Sequence, residues 1–313
     1  MEKKKYIVGI GAANADIYGN SSIKIREHYD HPSIIKTTVG GVTRNILENI
    51  SRLGIQTKLL TAVGDDIYGN LVLNKSKEVG IDVDDVLVVK NANTGIFLQV
   101  QNKNNDMYLA LCDMSINSNI NIDYIKKKDK IIKNAYAIVL DPSLDIKVLE
   151  YIFSNYSFIP IYLDPISEVY ATKIRPYLNY IYCIKPNKDE LSCLANMKIK
   201  DEKSLLKAYK KVSKQVKYLF TSLGDKGCMY IDDNNEIQIR KFEPVRKMVN
   251  ASGAGDSMIA AIIYGQYNGL NIENTIDYAL AAGIATILDE HVINPNLSIK
   301  LINKIIKERK LWT

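Results

Sequence analysis

Short apolar runs of strand length alternate along the chain with longer stretches of helical periodicity. Residues 6–13 form a β-branched run that stops at the polar Asn14 and Asp16, as expected for a buried strand with polar groups at its end. Most runs of this kind are uniformly apolar, which predicts a largely parallel sheet covered by helices on both faces. The further runs are residues 33–39, 57–63, 137–140, 158–163, 180–184 and 218–221.

Helical periodicity fills the intervals between the predicted strands. Residues 42–53 end before a Gly54 cap, and residues 67–78 follow Asp65 and Asp66, either of which could cap the helix. The C-terminal part of the chain is predicted to be helical over residues 254–267, 272–288 and 297–310. The pattern therefore predicts the α/β class, with helices flanking the central sheet.

One segment departs from the βα pattern. Residues 96–100 and 107–111 alternate apolar and polar positions on either side of the polar stretch 102–106, which predicts a hairpin inserted between βα units. Together with the segment after Asp16 it would form a small sheet over the strand ends. We expect a single domain over residues 1–313, with lid segments at about 15–39 and 94–113.

Composition narrows the class of protein. Of the 313 residues, 47% are hydrophobic and 24% are charged, as in soluble globular proteins. The net charge of +6 is spread along the chain, which argues against a nucleic-acid partner. The four cysteines show neither a CxxC pair nor zinc spacing. No signal peptide or stretch of ~20 apolar residues is evident, so we expect a cytoplasmic protein with no membrane partner.

The segment 250–257, Asn-Ala-Ser-Gly-Ala-Gly-Asp-Ser, offers an anion site. Its small residues leave backbone amides open where an apolar helix begins, and the helix dipole adds to their attraction for negative charge. Asp256 would lie in the first turn of that helix, where a carboxylate could lie beside a transferring phosphoryl group. Taken alone, the segment is also compatible with an ordinary helix cap.

Three further segments place glycines or amides at predicted strand ends. Gly40 and Gly41 precede a helix that bears Asn45, and a glycine-containing turn follows Thr221. Asn187 and Glu190 begin another helix, where their oxygens could orient water on Mg²⁺. In isolation each segment is also compatible with a plain turn or cap, and the Asn187 and Glu190 pattern is more often a cap.

Two other nucleotide-binding motifs are excluded. Gly9-Ile-Gly11-Ala-Ala-Asn14 begins like a dinucleotide fingerprint, but it has asparagine where the third glycine belongs. The chain contains no GxxxxGK[ST] sequence, so it is not a P-loop kinase.

The four segments, in their order along the chain, resemble the PfkB or ribokinase-like family of carbohydrate kinases, and the resemblance covers nearly the whole chain. The resemblance implies a ribokinase-like fold with a β lid, ATP and Mg²⁺ as cofactors, and a small sugar or nucleoside as substrate. It makes Asp256 the catalytic base and Gly253, Ala254 and Gly255 the anion hole. It further implies substrate contacts at Asn14, Asp16, Gly40, Gly41, Arg44 and Asn45, nucleotide contacts at Asn187, Thr221, Gly224, Gly227 and Asn294, and a water-mediated metal role for Asn187 and Glu190.

The chain departs from the family pattern at the start of the segment 250–257. The signature usually begins Asp-Thr, whereas this chain has Asn250 and Ala251, so a carboxylate often associated with a monovalent-cation site is missing. Dependence on K⁺ is therefore left open. The resemblance also implies a homodimer paired through the lids.

Within the family, further details resemble the members that phosphorylate the nucleoside pseudouridine. They are residues 11–16, Arg44, residues 112–114 and residues 290–295. We therefore expect ATP-dependent phosphorylation of a nucleoside 5′-hydroxyl, above all that of pseudouridine. Another nucleoside or a free sugar stays open as substrate. A sugar-binding regulator without catalysis is the alternative of another class, although it would be expected to lose Asp256 or the neighbouring glycines.

Overall fold

Strands and helices alternate along most of the computed structural model, which describes residues 6–102, 107–245, 247–309 and 311–312. The strands are β1 (Ile7–Ile10), β2 (Asn14–Ser21), β3 (Ser33–Gly40), β4 (Thr57–Leu60), β5 (Ala62–Gly64), β6 (Ile81–Asp82), β7 (Leu87–Val89), β8 (Ile96–Gln101), β9 (Met107–Asp113), β10 (Ala137–Leu140), β11 (Ile161–Leu163), β12 (Cys183–Ile184), β13 (Tyr218–Leu219), β14 (Thr221–Ser222), β15 (Cys228–Ile231), β16 (Ile237–Phe242) and β17 (Leu311–Trp312). The α-helices are α1 (Val42–Arg52), α2 (Ile67–Glu78), α3 (Ile122–Lys127), α4 (Asp129–Lys133), α5 (Ile146–Tyr156), α6 (Glu168–Ile174), α7 (Lys188–Ala195), α8 (Glu202–Ser213), α9 (Ala254–Tyr267), α10 (Ile272–Ile287) and α11 (Ile299–Glu308).

A parallel seven-stranded sheet forms the centre, in the order β13-β12-β11-β10-β1-β4-β6. Successive side chains of a strand point to opposite faces, so Ile7 packs into the core on one face while Val8 and Ile10 pack into the core on the other. Burial on both faces explains the uniformly apolar runs. The predicted α/β class with a largely parallel sheet is confirmed.

Different helices cover the two faces of this sheet. Helices α1, α9, α10 and α11 contribute to the core on one face, and α5, α7 and α8 contribute to the core on the other. Helix α9 is buried almost all round because it lies beneath both α1 and α10, which suits its nearly continuous apolar sequence. Among the described residues, no helix is long and apolar enough to cross a membrane.

Two predicted strands change sheets within one apolar run. Residues 57–63 were expected to form one strand, but β4 ends before Thr61, and β5 pairs instead with β7. Residues 218–221 break in the same way at Phe220, after which β14 joins an antiparallel sheet with β15, β16 and β17. Both breaks are corrections to the sequence prediction. Burial continues across each break, so hydrophobicity alone does not mark it.

A third sheet, which we call the small sheet, has the order β3-β2-β8-β9. Strand β2 is antiparallel to β3 and parallel to β8, and the predicted hairpin appears as the antiparallel pair β8 and β9. The expected segments 15–39 and 94–113 thus supply its strands, although residues 103–106 lie outside the described residues. Asn14 and Asp16 belong to β2 of this sheet rather than to the end of β1.

Candidate active site

The predicted base lies beside a predicted substrate residue. Asp256 occupies the first turn of α9 and is 9% exposed. Asn45 lies in the first turn of α1, and its Nδ2 donates a hydrogen bond to Asp256 Oδ2 at 3.2 Å. Oδ1 of Asn45 is buried without a hydrogen-bond partner among the described residues. The site therefore offers a carboxylate held by an amide, next to an unused buried acceptor.

The surroundings of Asp256 favour its neutral form. Burial first, and the nearby Asp164 second, raise the pKa of Asp256 to about 7, although the Asn45 hydrogen bond and Lys185 oppose the shift. A carboxylate with a pKa close to the working pH can accept a proton and then release it. Asp256 therefore has the protonation behaviour of a general base near neutral pH.

The turn before α9 is shaped by a close backbone approach. Gly253 has φ 78°, and a Cβ there would lie 1.8 Å from the carbonyl oxygen of Val292, so no other residue fits. At Gly255 a Cβ would lie 3.2 Å from Lys185 Nζ and 3.4 Å from Asp164 Oδ2. The N-terminus of α9 therefore combines open amides with an adjacent ammonium group, and both attract an anion.

Lys185 and Asp164 form a buried ion pair at this point. Their Nζ and Oδ2 atoms are 2.9 Å apart, and Lys185 is 3% exposed. Although burial disfavours its charge, Asp164 raises the pKa of Lys185 above the ordinary value. The site thus keeps a charged lysine beside the N-terminus of α9.

Sequence reasoning gave no role to Lys185, Asp164 or Asp141. Each directly follows a central strand, since β12, β11 and β10 end at the preceding residues. Ligands of open α/β sheets bind at the carboxyl ends of the strands. A polar residue immediately after a buried apolar run was therefore a signal that could have found all three.

The other predicted substrate residues gather at the base of the small sheet. Asn14 Nδ2 donates to Asp16 Oδ1 at 2.6 Å, and the Tyr18 hydroxyl donates to Asp16 Oδ2 at 3.2 Å. A Cβ on Gly40 would lie 2.3 Å from Asp16 Oδ2, so β3 passes directly over this carboxylate. Burial raises the pKa of Asp16 despite the opposing hydrogen bonds.

Gly41 allows α1 to begin against the end of β1. It has φ 95°, and a Cβ there would lie 2.4 Å from the carbonyl oxygen of Ala12. The same Ala12 donates its N–H to Asp141 Oδ2 at 2.9 Å, and Thr43 donates to that oxygen at 3.4 Å. Asp141 also raises the pKa of Asp256, which links the two groups of predicted residues.

Arg44 is turned into the protein. It is 1% exposed, its Nη2 lies 2.7 Å from Glu48 Oε2, and its Nε donates to Ser76 Oγ at 3.2 Å. Nη1 has no hydrogen-bond partner among the described residues. A substrate contact by Arg44 would therefore have to use this one nitrogen.

A cavity of about 570 Å³ lies on the side of the predicted nucleotide contacts. Asn187, Ser222 and Gly224 line it, together with residues 200–202 at the start of α8. Its volume lies in the range of small-molecule sites. Thr221, which precedes the cavity residue Ser222, is fully buried. Its hydroxyl has no hydrogen-bond partner in the described part of the chain.

Asn187 and Glu190 form a reciprocal cap at the start of α7. Glu190 N donates to Asn187 Oδ1 and Asn187 N donates to Glu190 Oε2, both at 2.8 Å. Burial first, and the nearby Asp164 second, raise the pKa of Glu190 to about 7. Within the described residues, no three His, Cys, Asp or Glu side chains are grouped to hold a metal ion.

Two predicted nucleotide contacts have structural partners instead. Gly227 has φ 91°, and a Cβ there would lie 2.1 Å from the carbonyl oxygen of Arg240 in the β15–β16 sheet. Asn294 Nδ2 donates to Ala285 O at 2.7 Å, and its Oδ1 accepts from Asn296 N at 2.8 Å. Neither residue lines the cavity, so a nucleotide role for them stays a prediction.

Comparison with known proteins agrees with this arrangement. The sequence model of pfkB family carbohydrate kinases matches residues 4–299. Pseudouridine kinase of Escherichia coli K12 is 30% identical over 98% of both chains. The crystal structure of a putative sugar kinase from Clostridium perfringens is 30% identical with a TM-score of 0.87, covering 99% of this chain and 98% of that one. Arabidopsis thaliana ribokinase, complexed with ribose and ATP, shares the fold at 23% identity and TM-score 0.80, covering 97% of this chain and 99% of its own. The chain therefore belongs to the pfkB family of carbohydrate kinases, as an ATP-dependent sugar or nucleoside kinase.

Proposed function

We propose that this kinase transfers the γ-phosphoryl group of ATP to the 5′-hydroxyl of a nucleoside, and that pseudouridine is its preferred acceptor. The match to a pseudouridine kinase over 98% of both chains supports the choice of acceptor. The contact between Asn45 and Asp256 carries the chemistry, because it places a held carboxylate at the start of α9.

Asp256 removes the proton of the acceptor hydroxyl as its oxygen attacks the γ-phosphorus. The new P–O bond forms while the bond between the γ-phosphorus and ADP breaks, and Asp256 then returns the proton to solvent. With a pKa raised to about 7 by burial, Asp256 can perform both proton steps near neutral pH. Asn45 fixes the orientation of the carboxylate through its amide hydrogen bond.

The amides of residues 253–255 hold the oxygens of the transferring group. Phosphoryl transfer depends mainly on positioning and on stabilising charge that spreads over those oxygens. Lys185, which lies beside Gly255, adds positive charge at the same place. Asp164 keeps this ammonium protonated and in position.

The carboxylates on the nucleotide side fit a Mg²⁺ ion that is held mostly by phosphates and water. Mg²⁺ commonly keeps several waters and uses one or two protein carboxylates. Burial and the nearby Asp164 raise the pKa of Glu190 although Lys185 opposes the shift, so a further cation near Glu190 would be favoured. Mg²⁺ would neutralise charge on the ATP phosphates, and Asn187 and Glu190 would orient its waters.

Asn14 and Asp16 would hold the ribose hydroxyls, since Asn14 is buried and hydrogen-bonded to the half-buried Asp16, over which β3 passes. These contacts cannot separate pseudouridine from uridine, because both nucleosides carry the same ribose. They differ in the ring atom that joins the base to the ribose: uridine is linked through nitrogen and pseudouridine through carbon, so pseudouridine keeps an additional ring N–H. Discrimination therefore requires a polar group that faces the base.

The strand register places two side chains on the face of the small sheet that carries Asp16. Asp16 is opposite Phe97, and Tyr18 is opposite Gln99; residues two apart share a face. An aromatic ring can stack on a base, and a carboxamide can pair with an adjacent N–H and C=O edge. We assign Phe97 and Gln99 to base recognition in this proposal.

A competition assay tests the acceptor. Pseudouridine and uridine share one reaction with limiting ATP, and both monophosphates are quantified; separate reactions use ribose, fructose and adenosine. A competitor that leaves a buried hydrogen-bonding group of the enzyme unpaired can be rejected by ~10⁴-fold, whereas a site that recognises shape alone discriminates by nearer ~10-fold. Gln99→Ala should reduce the preference, while Gln238→Ala, a matched change on β16 outside the small sheet, should preserve it. Equal amounts of the two monophosphates, or a preference for a free sugar, would contradict the assignment of pseudouridine as the preferred substrate. The assignment as a kinase would stand.

The small sheet also supports the proposed homodimer through the lids. On its face away from Asp16, Leu98 pairs with Leu111 and Val100 pairs with Leu109, with Ile35 alongside. Ile35 is 65% exposed and Leu111 is 58% exposed. Contiguous exposed apolar side chains of this kind mark interaction surfaces.

Sedimentation analysis tests the dimer. The wild-type chain should sediment as a dimer, and Leu111→Glu should give a monomer. Val169 is 73% exposed on α6, so Val169→Glu makes a matched change outside the sheet and should leave the dimer intact. A monomeric wild-type protein would refute this part of the proposal.

A further inference from the structure

A line of three charged side chains runs along α1 at intervals of one turn. Glu48 Oε2 lies 2.7 Å from Arg44 Nη2, and Glu48 Oε1 accepts hydrogen bonds from Arg52 Nη2 at 2.6 Å and Nε at 2.9 Å. Glu48 is 6% exposed. Because the carboxylate lies between two guanidinium groups, it holds Arg52 in one orientation.

Arg52 uses its remaining nitrogen on another part of the chain. Nη1 donates a hydrogen bond to the carbonyl oxygen of Pro295 at 2.6 Å. Pro295 belongs to the segment 289–297 between α10 and α11. Arg52 therefore ties α1 to this segment, which we call the C-terminal loop.

The C-terminal loop lies directly against the turn before α9. Val292 contributes the carbonyl oxygen that leaves no room for a Cβ at Gly253. Asn250 Nδ2 donates to Glu290 O at 3.2 Å, and Asn294 Nδ2 donates to Ala285 O of α10. The position of this loop therefore bears on the backbone at Gly253.

We propose that Arg52 is a positioning residue for phosphoryl transfer, which clamps the C-terminal loop onto Gly253 and so fixes the amides that face the γ-phosphate. The proposal rests on the proposed function in assigning those amides to the phosphate. Groups that stabilise a transition state must be held within about 0.5 Å of the productive geometry. Arg52 supplies that restraint without touching the reacting atoms.

The clamp needs the geometry of a guanidinium group. Arg52 meets Glu48 through two nitrogens and the Pro295 carbonyl through the third. A lysine ammonium is a compact charge that lacks this planar fork. Arg52→Lys should therefore behave like loss of the clamp rather than like a conservative change.

Steady-state kinetics test the consequence for catalysis. Arg52→Met and Arg52→Lys should each lower kcat by about 10-fold with KM for the acceptor unchanged, because a misplaced group weakens transition-state contacts more than ground-state binding. Arg175 offers a matched control, since its Nη1 donates to the carbonyl oxygen of Cys193 and joins α6 to α7. Arg175→Met should keep the wild-type kcat.

A double-mutant cycle tests whether Arg52 acts through the C-terminal loop. Asn250→Ala removes the second tie to that loop, so its effect on kcat combined with Arg52→Met should differ from the product of the single effects. Arg175→Met combined with Asn250→Ala should be multiplicative. Multiplicative effects in both cycles would overturn the shared route.

Hydrogen exchange measures the clamp without using activity. In Arg52→Met, peptides covering 248–256 and 289–297 should exchange faster than in the wild type, while those covering α5 should not change. Unchanged exchange would overturn the clamp, and faster exchange with wild-type kcat would overturn its catalytic role. A wild-type enzyme inactive on every nucleoside would overturn the proposed function, and the exchange result would still decide the clamp.

Discussion

The side-chain amide nitrogen of Asn45 lies 3.2 Å from a carboxylate oxygen of Asp256, although the two residues are 211 positions apart in the chain. Each lies in the first turn of its helix, and the two helices, α1 and α9, pack against each other. The orientation of Asp256, the proposed base, is therefore set by α1, whose N-terminus also carries predicted substrate residues.

Replacing Asp256 by asparagine should lower kcat by at least ~10²-fold, the lower end of what a positioned general base contributes. ATP and acceptor should still bind, because the isosteric amide preserves the shape of the site. Steady-state kinetics and calorimetric titration of both ligands provide the measurement. Asn45→Ala should give a smaller loss, since the carboxylate remains. Turnover close to wild type in a clean preparation of Asp256→Asn would remove it from the role of base.

The pH dependence of kcat/KM should show an acid limb near pH 7. Burial raises the pKa of Asp256 to about 7, so below that pH the carboxylate is protonated and cannot accept the hydroxyl proton. Rates measured from pH 5 to 9 at saturating Mg²⁺ would locate the limb. Glu190 also has a pKa raised by burial to about 7, so Glu190→Gln is the control and should leave the limb in place. A limb near pH 4 would show that Asp256 titrates normally.

The burial of Asp256 should also make thermal stability depend on pH, in the direction opposite to that of activity. The pKa of Asp256 rises on folding from 3.8 to about 7, so between these values the folded state keeps a proton that the unfolded state has lost. Stability from this group therefore falls as pH rises towards 7. Asp256→Asn should raise Tm by about 3 °C or more at pH 8.

Differential scanning fluorimetry at several pH values checks this sign. The gain in Tm from Asp256→Asn should shrink between pH 8 and pH 5, where wild-type Asp256 is protonated in the folded state. A gain that is constant with pH would assign it to packing rather than to charge.

The cap of α7 should affect the metal requirement. Glu190→Gln and Asn187→Ala should each raise the Mg²⁺ concentration for half-maximal rate by about 10-fold, as expected for residues that act on a metal through its waters. Asn121 caps α3 in the same way, by accepting a hydrogen bond from Tyr124 N, so Asn121→Ala controls for the loss of a cap. Unchanged Mg²⁺ titrations in the first two variants would leave Asn187 and Glu190 as a cap alone.

The sequence was most informative where chemistry needs particular residues at fixed spacing. Gly253 to Asp256 could be identified because open amides before a helix have a physical use, and the structure shows why Gly253 has no substitute. The contact of Asn45 with Asp256 could not be derived, because nothing local states how α1 and α9 approach each other. The same holds for the ion pair of Lys185 with Asp164, whose members are supplied by neighbouring strands.

Strand boundaries were harder for a related reason. At Thr61 and Phe220 the chain leaves one sheet for another while it stays buried. Hydrophobicity reports burial and is silent on which strand is the partner. Arg44 illustrates the converse, because the family resemblance implied a substrate contact there and no local pattern foretold that its guanidinium would form a buried pair with Glu48. The substrate contact stays a prediction.

The opposite faces of the central sheet divide the two proposed reactants between them. Helices α1 and α9, which carry Asn45 and Asp256, belong to the core on one face, and α7 and α8, which border the nucleotide cavity, belong to the core on the other. A substitution that reshapes the packing under α1 is thus separated from the nucleotide cavity by the sheet itself. The side chains that we assign to base recognition, Phe97 and Gln99, lie on the small sheet and belong to neither core. Acceptor preference is therefore expected to change through the small sheet without repacking beside the nucleotide cavity.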